Sequence, residues 1–150
     1  MEKLLENKIF KILSVTDEKT AADFCDVITD VYDKTQDREL WLKSFKNELK
    51  LDNCFMYVGY VDDEPAGAVE FSEGLEAVYI CWGAVKEAFR NRGLYKSLLV
   101  YAINYEIDRG IHKIVLNASE MGKEIYLKMG FHMLADRYNY VIEGKDTDIK

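Results

Sequence analysis

The stretch that most constrains this chain is residues 75–85, an almost unbroken apolar run holding Val78, Tyr79, Ile80, Cys81, Trp82 and Val85. A strand this rich in apolar side chains cannot keep one face in water, so it predicts a central strand covered on both sides. A basic turn follows, Arg90-Asn91-Arg92-Gly93, and then Leu94, Leu98, Tyr101, Ala102 and Tyr105 recur along one face of a helix predicted over 94–109. Gly110 stands where a left-handed residue closes a helix. Strand, tight turn and helix in that order point to a layered mixture of strands and helices.

The flanking segments agree. Residues 9–15 read as a strand, and Thr20-Ala21-Ala22-Asp23 has the spacing of a capping box, opening a helix that carries Phe24, Val27, Ile28, Val31 and Tyr32 on one face. Asp37 is placed to cap a second helix in which Trp41, Phe45 and Leu49 recur every four residues, ending near Lys50. Residues 54–61 and 66–71 form a hairpin across Asp62-Asp63-Glu64-Pro65, with the chain's one proline where a strand should stop. Beyond the long helix come a strand at 113–118, a short helix at 122–129 closed by Gly130, and a last strand within 131–142 where Tyr138, Tyr140 and Ile142 alternate. The charged tail, 143–150, is expected to fray. No repeat, low-complexity tract or linker interrupts this order, and 150 residues is about one domain.

Charge and cysteines exclude several functions. Twenty Lys and Arg against 27 Asp and Glu give a net charge of -7, which opposes the phosphate attraction on which nucleic-acid binders depend. Cys25, Cys54 and Cys81 are an odd number with no C-x-x-C pair, so neither a disulfide framework nor a zinc site is expected. Cys81, between Ile80 and Trp82, reads as a buried, inert thiol more than as an acyl-carrying nucleophile. His112 and His132 read as surface or cap residues, and no metal is expected. No stretch approaches the ~20 apolar residues of a membrane span, and no secretory leader is recognisable. A reducing cytoplasm is the expected location.

The turn at 90–97 is where chemistry concentrates. The first N–H groups of a helix lack intrahelical partners and carry the positive end of its dipole, and Arg90, Arg92 and Lys96 add charge around them. Read alone, the same segment is also an ordinary basic, solvated helix start. A Walker A loop is excluded because Tyr95, not glycine, precedes Lys96-Ser97. A dinucleotide fingerprint is excluded because the turn has one glycine, Gly93, which makes a nicotinamide cofactor unexpected.

A second patterned segment, Ser119-x-x-Gly122-x-x-Ile125-Tyr126-x-x-x-Gly130-Phe131, follows the next strand. With Val85-Lys86-Glu87-Ala88-Phe89-Arg90 and the Arg90-x-x-Gly93-x-Tyr95 loop, it resembles the GCN5-related N-acetyltransferase (GNAT) superfamily, from about Val78 to Phe131. Tyr95 departs from the small residue usual in that loop, Glu87 from proline and Ser119 from asparagine. A ring at Tyr95 must point away from any ligand.

The resemblance implies an α/β (α+β) GNAT fold, with a mixed sheet of about six to seven strands flanked by about four helices, as one domain over 1–150. It implies acetyl-CoA as co-substrate and direct attack by a primary amine of a small molecule or protein. Dimers are common in the family, although no residue here requires one. Trp82, Gly83, Ala84 and Val85 would offer backbone N–H groups to the pantetheine and thioester. Arg90, Asn91, Arg92, Gly93, Leu94, Tyr95, Lys96 and Ser97 would hold the pyrophosphate, with Ser119 and Gly122 contributing farther along. Tyr126 matches the tyrosine that protonates the departing thiolate; a phenol of pKa ~10 carries its proton at neutral pH.

The general base stays open. Tyr79 occupies the position six before Val85 where some family members carry glutamate, and Glu76 lies three residues earlier, on the opposite face of a strand. Water relayed to bulk, or a carboxylate such as Glu70, serves equally. Tyr32, Trp41, Phe55 and Tyr57 are either the walls of an acceptor site or core. Two other readings survive: a non-catalytic acyl-CoA-binding module of the same fold, and a structural α/β protein with no acyl-CoA site.

Overall fold

The computed structural model describes residues 1–6, 9–32, 37–137 and 140. They fall into two compact units, 1–116 and 117–150, taken separately below.

The first unit is built on a five-stranded sheet in the order β1-β2-β3-β4-β5. Its strands are β1 (Lys11–Ser14), β2 (Cys54–Val61), β3 (Glu64–Glu73), β4 (Val78–Val85) and β5 (Ile114–Leu116). The first four pair antiparallel, and β5 runs parallel to β4. Helices α1 (Glu18–Tyr32) and α2 (Arg38–Glu48) lie between β1 and β2, and α3 (Leu94–Asp108) lies between β4 and β5. In the second unit the described residues hold one short helix, α4 (Lys123–Lys128). The mixed fold is as expected, with five strands among the described residues where six to seven were expected. Residues 131–137 hold no regular element, and Tyr138 and Ile142 of the expected last strand lie outside the described residues, as does the tail.

Strand alternation sorts the sheet into two faces. Met56, Val58, Tyr60, Ala68 and Ala84 pack with Phe24, Val27, Ile28 and Phe45 beneath α1 and α2. On the opposite face Gly59 and Gly67 lie against Leu94 and Leu98 of α3, so closely that a Cβ on either would come within 2.8 Å of a leucine methyl. Removing water from these side chains stabilises the fold by roughly 25 cal/mol per Å² of apolar surface.

Three boundaries differ from the sequence reading for local reasons. The cap of α1 is Asp17: its carboxylate accepts from the Thr20 amide (2.8 Å) while Thr20 Oγ1 accepts from the Asp17 amide (3.2 Å). Thr20 therefore closes the reciprocal box instead of opening it. The hairpin turn is the pair Asp62-Asp63, both at positive φ, and Pro65 sits inside β3 opposite Tyr60, next to an irregularity at Gly59/Tyr60 that admits a residue with no N–H. Finally, β4 starts at Val78, because the Gly74 amide donates to the Ala77 carbonyl (2.9 Å) and folds 74–77 into a turn. Glu76 is thus exposed in a turn, not on a strand face.

Candidate functional site

The two halves of β4 are paired differently. Val78, Tyr79 and Ile80 lie between β3 and β5, but β5 accompanies the strand no farther. A bulge then changes its phase: Ile80 faces Phe71 and Trp82 faces Glu70, so Cys81 has no opposite number. Past the bulge the Lys86 amide donates to the Ala66 carbonyl (2.9 Å). Alternation therefore turns the amides of Ala84 and Trp82 toward β3, and those of Gly83 and Val85 to the other edge. The carbonyls of Gly83 and Val85 obey the same phase. Tyr32 Oη donates to the Gly83 carbonyl (2.6 Å), and Arg90 Nε donates to that of Val85 (3.1 Å). Of the predicted donors, Gly83 and Val85 present N–H groups at this edge, whereas Trp82 and Ala84 spend theirs on the sheet.

The turn into α3 is coiled by two left-handed residues, Asn91 (φ 61°) and Gly93 (φ 81°). Nothing lies near a Cβ built on Gly93, so glycine is needed there for its dihedral, not for space. No side chain caps α3, and its first turn has no acidic residue. The start of α3 thus carries the positive end of the helix dipole with no acidic side chain to offset it. Ser97 turns inward, its Oγ donating to the Gly93 carbonyl (3.1 Å). Arg92 lies over the Phe89 ring (5.6 Å).

Tyr95 reaches back to β4. Its hydroxyl occupies the space of the side chain Gly83 lacks, 2.0 Å from where a Cβ would stand. The bulky residue in the turn and the missing side chain on the strand thus fit each other. Tyr32, from the α1 side, and Tyr95, from the α3 side, converge on Gly83, where β4 offers its outward amide.

On the α1/α2 face, Trp82 meets Tyr32 (5.4 Å) and Trp41 (5.5 Å) edge-on, and Trp41 stacks on Phe45 (5.6 Å). Of the four aromatics proposed as acceptor walls, Tyr32 and Trp41 gather here. Tyr57 and Phe55 instead pack against Tyr101 and Tyr105 of α3. An open groove lined by Asp26, Thr29, Asp30, Arg38 and Lys86 runs past the end of β4, with Arg38 Nε donating to Asp26 (2.6 Å).

Sequence reasoning offered Glu70 as one possible base but did not gather the cluster around it on this same face. Glu70, 4% exposed, has donor atoms of Glu48 and Cys54 within 4.8 Å, and its Oε2 has no hydrogen-bond partner. Burial first, then the charge of Glu48, push its carboxyl up to about 7. Cys81 is exposed rather than buried, because the bulge turns it out of the core. Its thiol is nevertheless pushed up to about 12 by burial of the sulfur and by Glu70, which keeps it a poor nucleophile. The one signal for the cluster was an acid at the core register of an apolar strand, Glu70 two residues after Ala68. Tyr79 is exposed, as are His112 and His132.

In the second unit Ser119 and Gly122 open α4: the Gly122 amide donates to Ser119 Oγ (3.1 Å) and carbonyl (3.1 Å). Tyr126 meets Phe131 edge-on (5.6 Å), and the Phe131 amide donates to the Tyr126 carbonyl (3.0 Å).

A family model described as an acetyltransferase (GNAT) domain matches residues 17–140. Among solved structures, an aminoglycoside N-acetyltransferase in complex with CoA is similar at TM-score 0.76 and 13% identity, over 94% of this chain and 99% of that one. A Clostridium acetobutylicum protein described as an acetyltransferase, with acetyl-CoA, has TM-score 0.69 and 17% identity, over 89% and 96%. A ribosomal-protein-alanine N-acetyltransferase from Brucella melitensis has TM-score 0.68 and 21% identity, over 91% and 99%. No curated protein matches the sequence. No helix among the described residues is long and apolar enough to cross a membrane.

Proposed function

The chain belongs to the GNAT acetyltransferase family, and from that premise we propose that it moves an acetyl group from acetyl-CoA to a primary amine by direct attack in a ternary complex. The observation that carries this reading is the edge of β4 beyond Cys81, where Gly83 and Val85 present amides that no strand among the described residues takes up. The amide-bearing pantetheine arm is suited to such an edge, as a peptide is suited to an open sheet. The diphosphate is suited to the uncapped start of α3, with Arg92 and Lys96 around it. Arg90 has a different part, tying the turn to the Val85 carbonyl so that both anchors stay in register.

The outward amide of Gly83 is the natural oxyanion donor, held rigid by Tyr32 on its own carbonyl. We assign Tyr126 as the acid for the CoA thiolate on the strength of its place in the family motif, and Ser119 and Gly122 as what shapes the turn before it. The acceptors named in the similar structures, an aminoglycoside and a ribosomal protein's alanine, are both amines. The net charge of -7 favours a cationic one. Three unbridged cysteines support a reducing compartment.

The test is thiol release from acetyl-CoA across a panel of small amines and peptide N-termini. Acceptor-dependent release, reduced about 100-fold in Tyr126→Phe, supports the enzyme. Tight acetyl-CoA binding with no acceptor-dependent release would make the chain a binding module instead.

A further inference from the structure

Acetyl transfer needs somewhere for the amine's proton to go, and of the candidates read from the sequence Tyr79 and Glu76 are not placed for it. Tyr79 is exposed and Glu76 sits in a turn. We propose that Glu70 of β3 is the proton acceptor for the incoming amine, and that Glu48, at the end of α2, is the positioning residue that holds it ready. This inference rests on the acetyltransferase reading above.

The geometry supports it from three directions. Glu70 stands directly opposite Trp82, one residue from Gly83. Side chains opposite each other on antiparallel strands share a face with Cβ atoms about 5 Å apart, so the carboxyl lies on the α1/α2 face beside the aromatic group of Trp82, Trp41 and Tyr32. It is nine-tenths buried and more, with Oε2 unpartnered. The groups that set its ionisation come from three elements, Glu48 of α2, Cys54 of β2 and Cys81 of β4, and all are acids. A second carboxylate this close disfavours the ionised form of the buried Glu70 and so favours a proton on it.

Two acids side by side draw an ammonium, and the unpartnered Oε2 of Glu70 is where it can leave a proton. Burial and Glu48 push the Glu70 carboxyl up, and the neighbouring Cys54 and Cys81 thiols pull it partly back. The outcome near 7 is what a base working at neutral pH requires. The ammonium gives one proton to Glu70, which later passes it to solvent. As the new N–C bond forms and the C–S bond breaks, the nitrogen loses its second proton to solvent and the departing thiolate takes one up.

The deciding experiment measures kcat/KM against pH for wild type, Glu70→Gln, Glu70→Asp and Glu48→Gln with one accepted amine, alongside calorimetric binding of acetyl-CoA. Wild type should show an acid limb near neutrality. Glu70→Gln should bind acetyl-CoA as wild type does, lose at least about 100-fold in rate, and lose that limb. Glu70→Asp should be slowed but keep a limb. Glu48→Gln, which removes a like charge and can donate to Glu70, should keep most of the rate at high pH with the limb moved to lower pH.

A Glu70→Gln rate within about threefold of wild type, with the limb unchanged, would overturn the proposal and leave the acetyltransferase reading intact. Turnover abolished by EDTA and restored by Zn²⁺ would also overturn it, since these donors would then be holding a cation. A wild type that binds no acetyl-CoA would remove both readings.

Discussion

Two glutamates are buried on opposite faces of the same sheet, each beside a second glutamate. Glu70 faces α1 and α2 next to Glu48; Glu106, fully buried on α3, lies next to Glu73. Burial is the leading cause that pushes each carboxyl up to about 7. What differs is the cation. On the α3 face Arg109 takes Glu73 with two hydrogen bonds (2.8 and 3.1 Å) and lies over the Phe55 ring (4.8 Å). That bond holds Glu73 below the ordinary carboxylate range, so the α3 pair is already sorted into one charged and one neutral member. Among the described residues the groups acting on Glu70 are Glu48, Cys54 and Cys81, with no cation to play the part of Arg109. A raised carboxyl by itself does not mark a catalytic residue; the proposal for Glu70 rests on its place opposite Trp82, beside the outward edge of β4.

The sharpest way to break this comparison is to neutralise each buried acid in turn and measure rate and stability together. Glu70→Gln should lose at least about 100-fold in kcat, whereas Glu106→Gln should turn over like wild type. A similar loss in both would mean that burial alone is responsible.

Next in size is the stability of Glu106→Gln, read from denaturant melts across pH. A carboxyl raised on folding binds its proton more tightly folded than unfolded, so wild-type stability falls as pH climbs from about 4.5 to 7 and is flat above. The variant should lack that slope, gaining up to about 3 kcal/mol at pH 8 and nothing at pH 4. Glu70→Gln should gain stability in the same window while losing rate, the trade expected of a functional site.

Gly83→Ala should cost about 1–3 kcal/mol by overpacking against the Tyr95 hydroxyl. Tyr95→Ala in the same chain should recover most of it, which a double-mutant cycle of melts would show. Smallest is Arg109→Met, at about 1 kcal/mol, since the guanidinium is 40% exposed and its ion pair is screened. It sharpens the comparison through a second readout: freed of its cation, Glu73 should titrate at higher pH by carboxyl NMR.

Much of the frame was legible in the sequence because it is written in local chemistry. Asp37 caps α2 as read, accepting from the Glu39 amide (2.9 Å), and Gly110 closes α3 at φ 86°. The 75–85 run does hold a strand, but it is fourth of the five described and not covered on both faces, since Tyr79 and Cys81 are exposed. Local patterns were ambiguous where two residues could serve the same end: Asp17 and Thr20 both take part in one cap, and spacing alone chose the wrong opener. The site was legible only as far as motifs reach. Gly93 and the charges around it are what pointed to the turn before α3, but the bulge at Cys81 has no compositional signature. The fit of Tyr95 to Gly83 joins residues twelve apart on different elements, and Glu48, Cys54 and Glu70 meet only once α2, β2 and β3 are packed.

The central claim is that the edge of β4 and the start of α3 together hold acetyl-CoA. Its most direct test is thermal melting of the full chain titrated with acetyl-CoA, with free adenosine and NADH as controls, in wild type and in the double variant Arg92→Glu, Lys96→Glu. At about 100 times its Kd, acetyl-CoA should add roughly 2.7 kcal/mol, with no gain from NADH and a much smaller one in the variant. An unmoved midpoint at millimolar acetyl-CoA, or an equal gain in wild type and variant, would contradict the account.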